Sequence, residues 1–169
     1  MIRLLCWLPL LLLAACARGP VLPAHTPDLA LPLQLHVQRR EGAEVRDWLL
    51  VIQKEYSGLR WSLLDPLGVP LARQVLRDGA WQADGLLPPN AAARELFAAL
   101  LFALAPEPQL PGLYPGRDWS VEPNRRILRI DASSAWQVRY HDDRHFDLDV
   151  GPSLTYGVAP IENTGAAAP

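Results

Sequence analysis

Between Ala91 and Leu104 the sequence holds a helix that no single partner surface can cover. Asn90 suits the N-cap of this segment, because its side chain can accept from a free first-turn N–H, and Pro106 stops it. Leu96, Phe97, Leu100, Leu101 and Leu104 stand among six alanines, and only Arg94 and Glu95 are charged. A helix that is apolar nearly all round is buried on most sides. At about 1.5 Å per residue it runs roughly 20 Å, the width of a small sheet or barrel mouth. Whatever surrounds it must therefore wrap it.

The flanking sequence reads as strands. Leu31-Pro32-Leu33-Gln34-Leu35-His36-Val37-Gln38 alternates strictly and predicts a half-buried strand. Trp48 to Ile52 is apolar on both faces, which predicts a strand covered on both sides. Leu59 to Leu63 alternates again. After Asp65-Pro66-Leu67-Gly68, Val69 to Leu76 forms another strand, and Arg77-Asp78-Gly79 turns into Ala80-Trp81-Gln82. Five strands joined by short turns describe an antiparallel meander. Beyond the helix, Ala105 to Arg117 is rich in proline and glycine and reads as a loop. Strands are then expected at 119–121, 126–130, 136–140, 145–150 and 154–161, with no internal repeat and no second domain. The expected fold class is α+β: a curved antiparallel sheet, an incomplete barrel wrapping one or more apolar helices.

The N-terminus predicts the compartment. Arg3 precedes the apolar run Leu4 to Leu13, which is too short to span a bilayer and has signal-peptide proportions. Leu13-Ala14-Ala15-Cys16 resembles the lipobox read by lipoprotein signal peptidase, which implies removal of residues 1–15 and a diacylglyceryl group carried on the Cys16 thiol. Two or more acyl chains on Cys16 would anchor the chain firmly in a membrane. Ala17 follows in place of the Asp that retains lipoproteins in the inner membrane, so the expected location is the periplasmic face of the outer membrane. Residues 16–30, with Pro20, Pro23 and Pro27, read as a lipidated N-terminus and stiff tether; 31–161 form the domain and 162–169 a disordered tail.

Composition narrows the function further. Cys6 lies in the removed segment, so no disulfide and no cysteine nucleophile is available. Loss of Arg3 takes the net charge from −2 to −3, which argues against nucleic acid and against binding to membranes through a polybasic stretch. No Gly-x-Ser-x-Gly, His-Glu-x-x-His or phosphate-binding glycine loop is present, so no catalytic residue is assigned.

In Asp65-Pro66-Leu67-Gly68, Asp at the first position, Pro at the second and Gly at the fourth suit a type I turn. Its third position is open to any polar residue, yet it carries Leu67. An apolar side chain at a hairpin tip either folds back onto its own sheet or inserts into a membrane or a partner's groove. The string Leu63-Leu64-Asp65-Pro66-Leu67-Gly68 after the first strands of a lipobox chain resembles LolB, the outer-membrane lipoprotein receptor, as does the order of meander, Pro-containing loop, helix and further strands. The chain is shorter than LolB and shows one helical segment where LolB has two. The hairpin, the Trp81 strand and the central helix also resemble a family of uncharacterised lipoproteins of LolA/LolB-like build. Some of these are encoded in clusters that make aryl polyenes or related fatty-acid-like products. The resemblance implies an open barrel whose hydrophobic cavity accepts acyl chains, with Leu67 delivering them to the membrane. A periplasmic carrier protein is then an implied partner.

Candidate cavity-lining residues are Trp48, Trp61, Leu63, Trp81, Phe97, Leu101 and Trp136, the alternative for each being a packed core. His145, Asp147 and Asp149 fall on one face of a strand and could hold a divalent ion, although a hairpin with one wet face has the same pattern. The expected function is a non-catalytic, monomeric, cofactor-free carrier with a loosely filled cavity whose helix can shift. An envelope assembly or scaffold lipoprotein with a filled core is the alternative, and a hydrolase on lipid-linked products the third.

Overall fold

The computed structural model describes residues 19–161 apart from 57, 86, 88 and 89. The signal segment, Cys16 and the tail at 162–169 lie outside the described residues.

Among the described residues, ten antiparallel strands form one open sheet. The first meander is β1 (Leu33–Glu41), β2 (Glu44–Glu55), β3 (Gly58–Leu64), β4 (Pro70–Arg77) and β5 (Ala80–Ala83). The second is β6 (Trp119–Glu122), β7 (Arg125–Arg129), β8 (Ala135–Tyr140), β9 (Phe146–Asp149) and β10 (Leu154–Pro160). They join in the middle of the sheet through β1 and β10, which pair from Leu35 with Pro160 to Glu41 with Leu154. The sheet therefore runs β5-β4-β3-β2-β1-β10-β9-β8-β7-β6, with short strands at both edges. This is the α+β class expected from the sequence.

Local chemistry explains the turns. Asp78 and Gly79 both take positive φ, 51° and 70°, as a type I′ hairpin requires. At the β2–β3 turn, a Cβ on Gly58 would lie 2.2 Å from the carbonyl oxygen of Leu76, so only glycine fits. The inner face follows the alternation: Leu35 and Val37 on β1 sit opposite Leu50 and Trp48 on β2, and Leu35, Val37, Leu50 and Ile52 are all buried. On the outer face Leu49 and Val51 are only half-buried. The β2 strand is thus covered on one side, not on both, because no second layer lies over it.

Helix α1 (Ala91–Leu104) crosses the concave face. Asn90 caps it as expected, its side-chain oxygen accepting from Ala93 N–H at 3.0 Å. Every residue from Leu96 to Ala103 is buried. A flat sheet leaves the far side of a helix wet, so burial around the whole circumference needs a curled sheet and further cover. That cover comes from two unexpected places. Within the segment read as a loop, a 3-10 turn (Glu107–Gln109) runs into a short helix α2 (Leu110–Leu113), and Tyr114 meets Phe102 edge-on at 5.4 Å. Its prolines and glycines hid a helix that burial of Leu110 and Leu113 stabilises. The proline-rich stretch read as a tether is also docked: Val21, Pro23 and Pro27 are buried, Ala24 N–H donates to Leu113 O at 2.7 Å, and Asp28 N–H donates to Gln109 Oε1 at 3.1 Å. It forms a strap, and its apolar residues explain why it packs.

The C-terminal end of α1 is pinned by the second meander. The Arg126 guanidinium donates to Ala105 O at 2.6 Å and approaches the Ala103 and Phe102 carbonyls at 3.4 and 3.5 Å. Tyr140 OH donates to Ala103 O at 2.6 Å, beneath the Arg126 cation at 5.2 Å. Carbonyls left without partners at a helix end are thereby satisfied. We expect Arg126→Met to lower stability by about 2 kcal/mol in urea unfolding, because charged hydrogen bonds to buried acceptors are lost. Burial pushes the Tyr140 hydroxyl up to about 12, against the opposing pull of Arg126. Since its proton is held more tightly in the folded chain, Tyr140 adds no pH dependence below the ordinary tyrosine value and lowers stability between about pH 10 and 12. Tyr140→Phe should lessen the alkaline fall in a pH series of urea midpoints, the remainder coming from Tyr114 and Tyr156, which burial also raises.

Candidate functional site

The hairpin tip between β3 and β4 is braced from within. Asp65 O accepts from Gly68 N–H at 2.9 Å and Asp65 N–H donates to Val69 O at 2.9 Å. The Asp65 carboxylate also accepts from the N–H groups of Leu67 and Val69 at 2.9 and 2.8 Å. Gly68 adopts φ +82°, a conformation costly for any other residue. The outcome is a stiff tip with Leu67 at its apex, 89% exposed. It does not fold back onto the sheet. Val69 and Leu71 on the descending side are exposed as well, so the tip presents three aliphatic side chains to solvent.

Beside this tip opens a cleft of about 560 Å3, within the usual range for small-molecule sites. Trp48, Leu63, Leu71, Leu96 and Tyr156 supply its apolar walls, Ala92 and Ala93 of α1 one side, and Arg46 and Asp47 a polar rim. The rim charges are already engaged: Arg46 with Glu44, and Asp47 with His36 at 2.8 Å and Gln38 at 3.2 Å. These two hydrogen bonds hold the Asp47 carboxyl below its ordinary value.

The residues expected to line a cavity divide. Trp48 and Leu63 border this cleft. Trp61, Phe97 and Leu101 are wholly buried in the core. Trp61 packs on Phe97 at 5.2 Å and edge-on to Trp81 at 5.8 Å, with Trp81 and Phe97 at 5.6 Å. These three rings pack against one another between β3, β5 and α1, so they belong to the core. Trp136 is buried too, but its edge borders a second cleft on the other side of the α1 N-terminus, with its Nε1 donating to Glu95 at 3.4 Å. The interior along Leu96 to Ala103 is occupied by the helix, whose side chains there are all buried. Two clefts open around the first turns of α1, and another of about 600 Å3 lies between the strap and the β2–β3 turn.

The three groups considered for a metal are pulled apart. His145 falls in the turn before β9, where it pairs with Asp142 at 2.8 Å. Asp147 pairs with His141 at 3.0 Å and with Arg40, and Asp149 with Arg139 at 2.7 Å and Thr155 at 2.7 Å. Burial alone would raise the Asp147 carboxyl, but the hydrogen bonds from His141 and Arg40 outweigh it and hold it low. The wet face of β9 is an ion-pair ladder, and among the described residues no group of three or more His, Cys, Asp or Glu side chains is placed to hold a metal ion. Ser133 and Ser134 turn their hydroxyls onto Asp131 at 2.9 and 2.8 Å. The features that sequence reasoning missed are Leu96 and Tyr156 as walls, and the second cleft; only the paired strands reveal that these residues meet.

If Asp65 braces the tip, Asp65→Ala should cost about 1–2 kcal/mol in urea unfolding through loss of two side-chain hydrogen bonds. Amide exchange at Leu67 and Val69 should rise in the same variant, while exchange along α1 stays unchanged.

No curated protein matches the chain in sequence. Residues 32–154, well over half of the sequence, match the family described as "Protein of unknown function (DUF3261)", and the chain belongs to that family.

Proposed function

We propose that this chain is a LolB-like carrier: a lipoprotein anchored through Cys16 to the periplasmic face of the outer membrane, which takes up an acyl chain or similar apolar ligand beside Leu67 and passes it to the bilayer. The observation that carries the reading is the union of two features at one end of the molecule. A rigid hairpin holds Leu67 out in solvent, and the same hairpin supplies Asp65, Pro66 and Leu71 to a cleft floored by Trp48, Leu63 and Leu96. A lone exposed leucine is unremarkable on a protein surface, but three aliphatic side chains on a braced tip next to an apolar cleft suit contact with lipid. Burying an acyl chain there would be favourable by about 25 cal/mol per Å2 of apolar surface removed from water.

The chain leaves the fold at the same end. Gly19 borders the second cleft, beside Ala91 at the start of α1, and three residues span at most about 10 Å. An acylated Cys16 would therefore set the mouth and the Leu67 tip near the membrane plane. The binding chemistry is non-catalytic: apolar burial for capture, and exchange with the bilayer for release. A periplasmic carrier protein is the natural donor of the cargo, and the protein acts as a monomer with no cofactor.

Complete burial of Leu96 to Ala103 favours a second reading, an envelope assembly or scaffold subunit with a solid core. A fluorescent fatty acid separates the two. The carrier reading expects enhanced emission on binding, with loss of the signal when Leu63→Arg blocks the cleft; a scaffold leaves the probe dark. Leu67→Glu should leave stability within about 0.5 kcal/mol, as for other exposed positions, and leave fatty-acid binding intact while abolishing transfer of the probe to vesicles. Transfer at the native rate by Leu67→Glu would remove the tip from the mechanism.

A further inference from the structure

The second cleft, of about 820 Å3, lies between the N-terminal strap and the first turns of α1. Its apolar wall is formed by Val21, Leu22, Ile130 and Trp136, and its rim carries Arg94 and Arg117. These two arginines differ from most of their kind here. Arg39, Arg40, Arg46, Arg60, Arg73, Arg125, Arg129 and Arg139 all reach a carboxylate, and Arg126 reaches helix carbonyls. Among the described residues neither Arg94 nor Arg117 has an ion-pair partner, and the Arg94 Nε is buried without a hydrogen bond. Arg94 is also placed against the local field. It lies at the N-terminal end of α1, where no carboxylate occupies the first turn and the helix dipole disfavours a cation. A buried, unpaired donor on a disfavoured cation is a local conflict of the kind found at functional sites.

We propose that this cleft binds an anionic lipid headgroup, with Arg94 and Arg117 on the phosphate and the first part of the acyl chain against Ile130 and Trp136. The charge of the cleft decides between a lipid and a free anion. Its two carboxylates, Glu95 and Asp131, balance the two arginines. Glu95 accepts from Trp136 and Asp131 accepts from Ser133 and Ser134, and among the described residues neither carboxylate forms an ion pair with Arg94 or Arg117. With no net positive lining, a small anion gains little from long-range attraction. A phosphate delivered by an apolar chain gains contact with both guanidinium forks and with the apolar wall. The site is separate from the cleft beside Leu67 and stands independently of the carrier reading.

Calorimetry on the full chain with monomeric dihexanoyl phosphatidylglycerol tests this, alongside dihexanoylglycerol and inorganic phosphate. The phospholipid is expected to bind, and the Arg94→Gln, Arg117→Gln double variant to weaken it by at least about tenfold, the loss of charged hydrogen bonds. Arg94→Lys with Arg117→Lys should restore part of the affinity, and urea midpoints check that all variants fold. Leu67→Glu should bind the phospholipid as the native chain does, so a failure of the tip hypothesis leaves this one standing. Equal phospholipid affinity in the native and double-Gln proteins would overturn the proposal. So would inorganic phosphate binding as tightly as the lipid, or dihexanoylglycerol suffering the same loss.

Discussion

Burial of α1 around its whole circumference organises this protein. Each of its large side chains contributes about 1.5–3 kcal/mol when removed from water, far above the few tenths that helix propensity gives per residue. That gain is available only if something covers every side. Strands β1 to β5 cover one flank through Trp61 and Trp81 on Phe97, β7 and β8 hold the C-terminal end through Arg126 and Tyr140, and α2 closes over Phe102 through Tyr114. The pairing of β1 with β10 brings both meanders to one helix, and the docked strap from Val21 to Pro27 completes the cover.

A filled interior changes where binding can occur. The helix is wholly enclosed from Leu96 to Ala103, while Ala91, Ala92 and Glu95 are exposed. Two clefts flank the first turns, one under the Leu67 hairpin and one beside the strap, and a third of about 600 Å3 lies between the strap and the β2–β3 turn. The firm anchor lies at the other end, where charged and neutral hydrogen bonds converge on the last carbonyls. In the proposed carrier, the pinned C-terminal end of α1 preserves the fold while the mouth beside Leu67 is the part that would meet lipid.

Much of this was legible in the sequence because it was locally encoded. Alternation of Leu33, Leu35 and Val37 marked β1, Asp65-Pro66-Leu67-Gly68 specified its turn, and Asn90 with Pro106 bounded α1. What escaped depended on distant partners. Nothing near Leu154 announces that it pairs with Glu41. Leu110-Pro111-Gly112-Leu113 carries loop residues, yet two buried leucines make it helical. Period-two spacing placed His145 with Asp147 and Asp149, but His145 sits one residue before β9 and turns to Asp142. Tryptophan alone does not say whether it fills or lines a space: Trp48 borders a cleft, whereas Trp61 is buried against Trp81 and Phe97.

The most direct test places a guest molecule. A fatty acid carrying a nitroxide near its methyl end should broaden the amide signals of Leu63, Ala93 and Leu96 and leave those of Leu100 to Ala103 sharp, because the guest sits at the mouth and the helix core stays closed. Broadening centred on Leu100 to Ala103 would show a ligand inside the sheet, and no selective broadening at all would show none bound; either result contradicts the account.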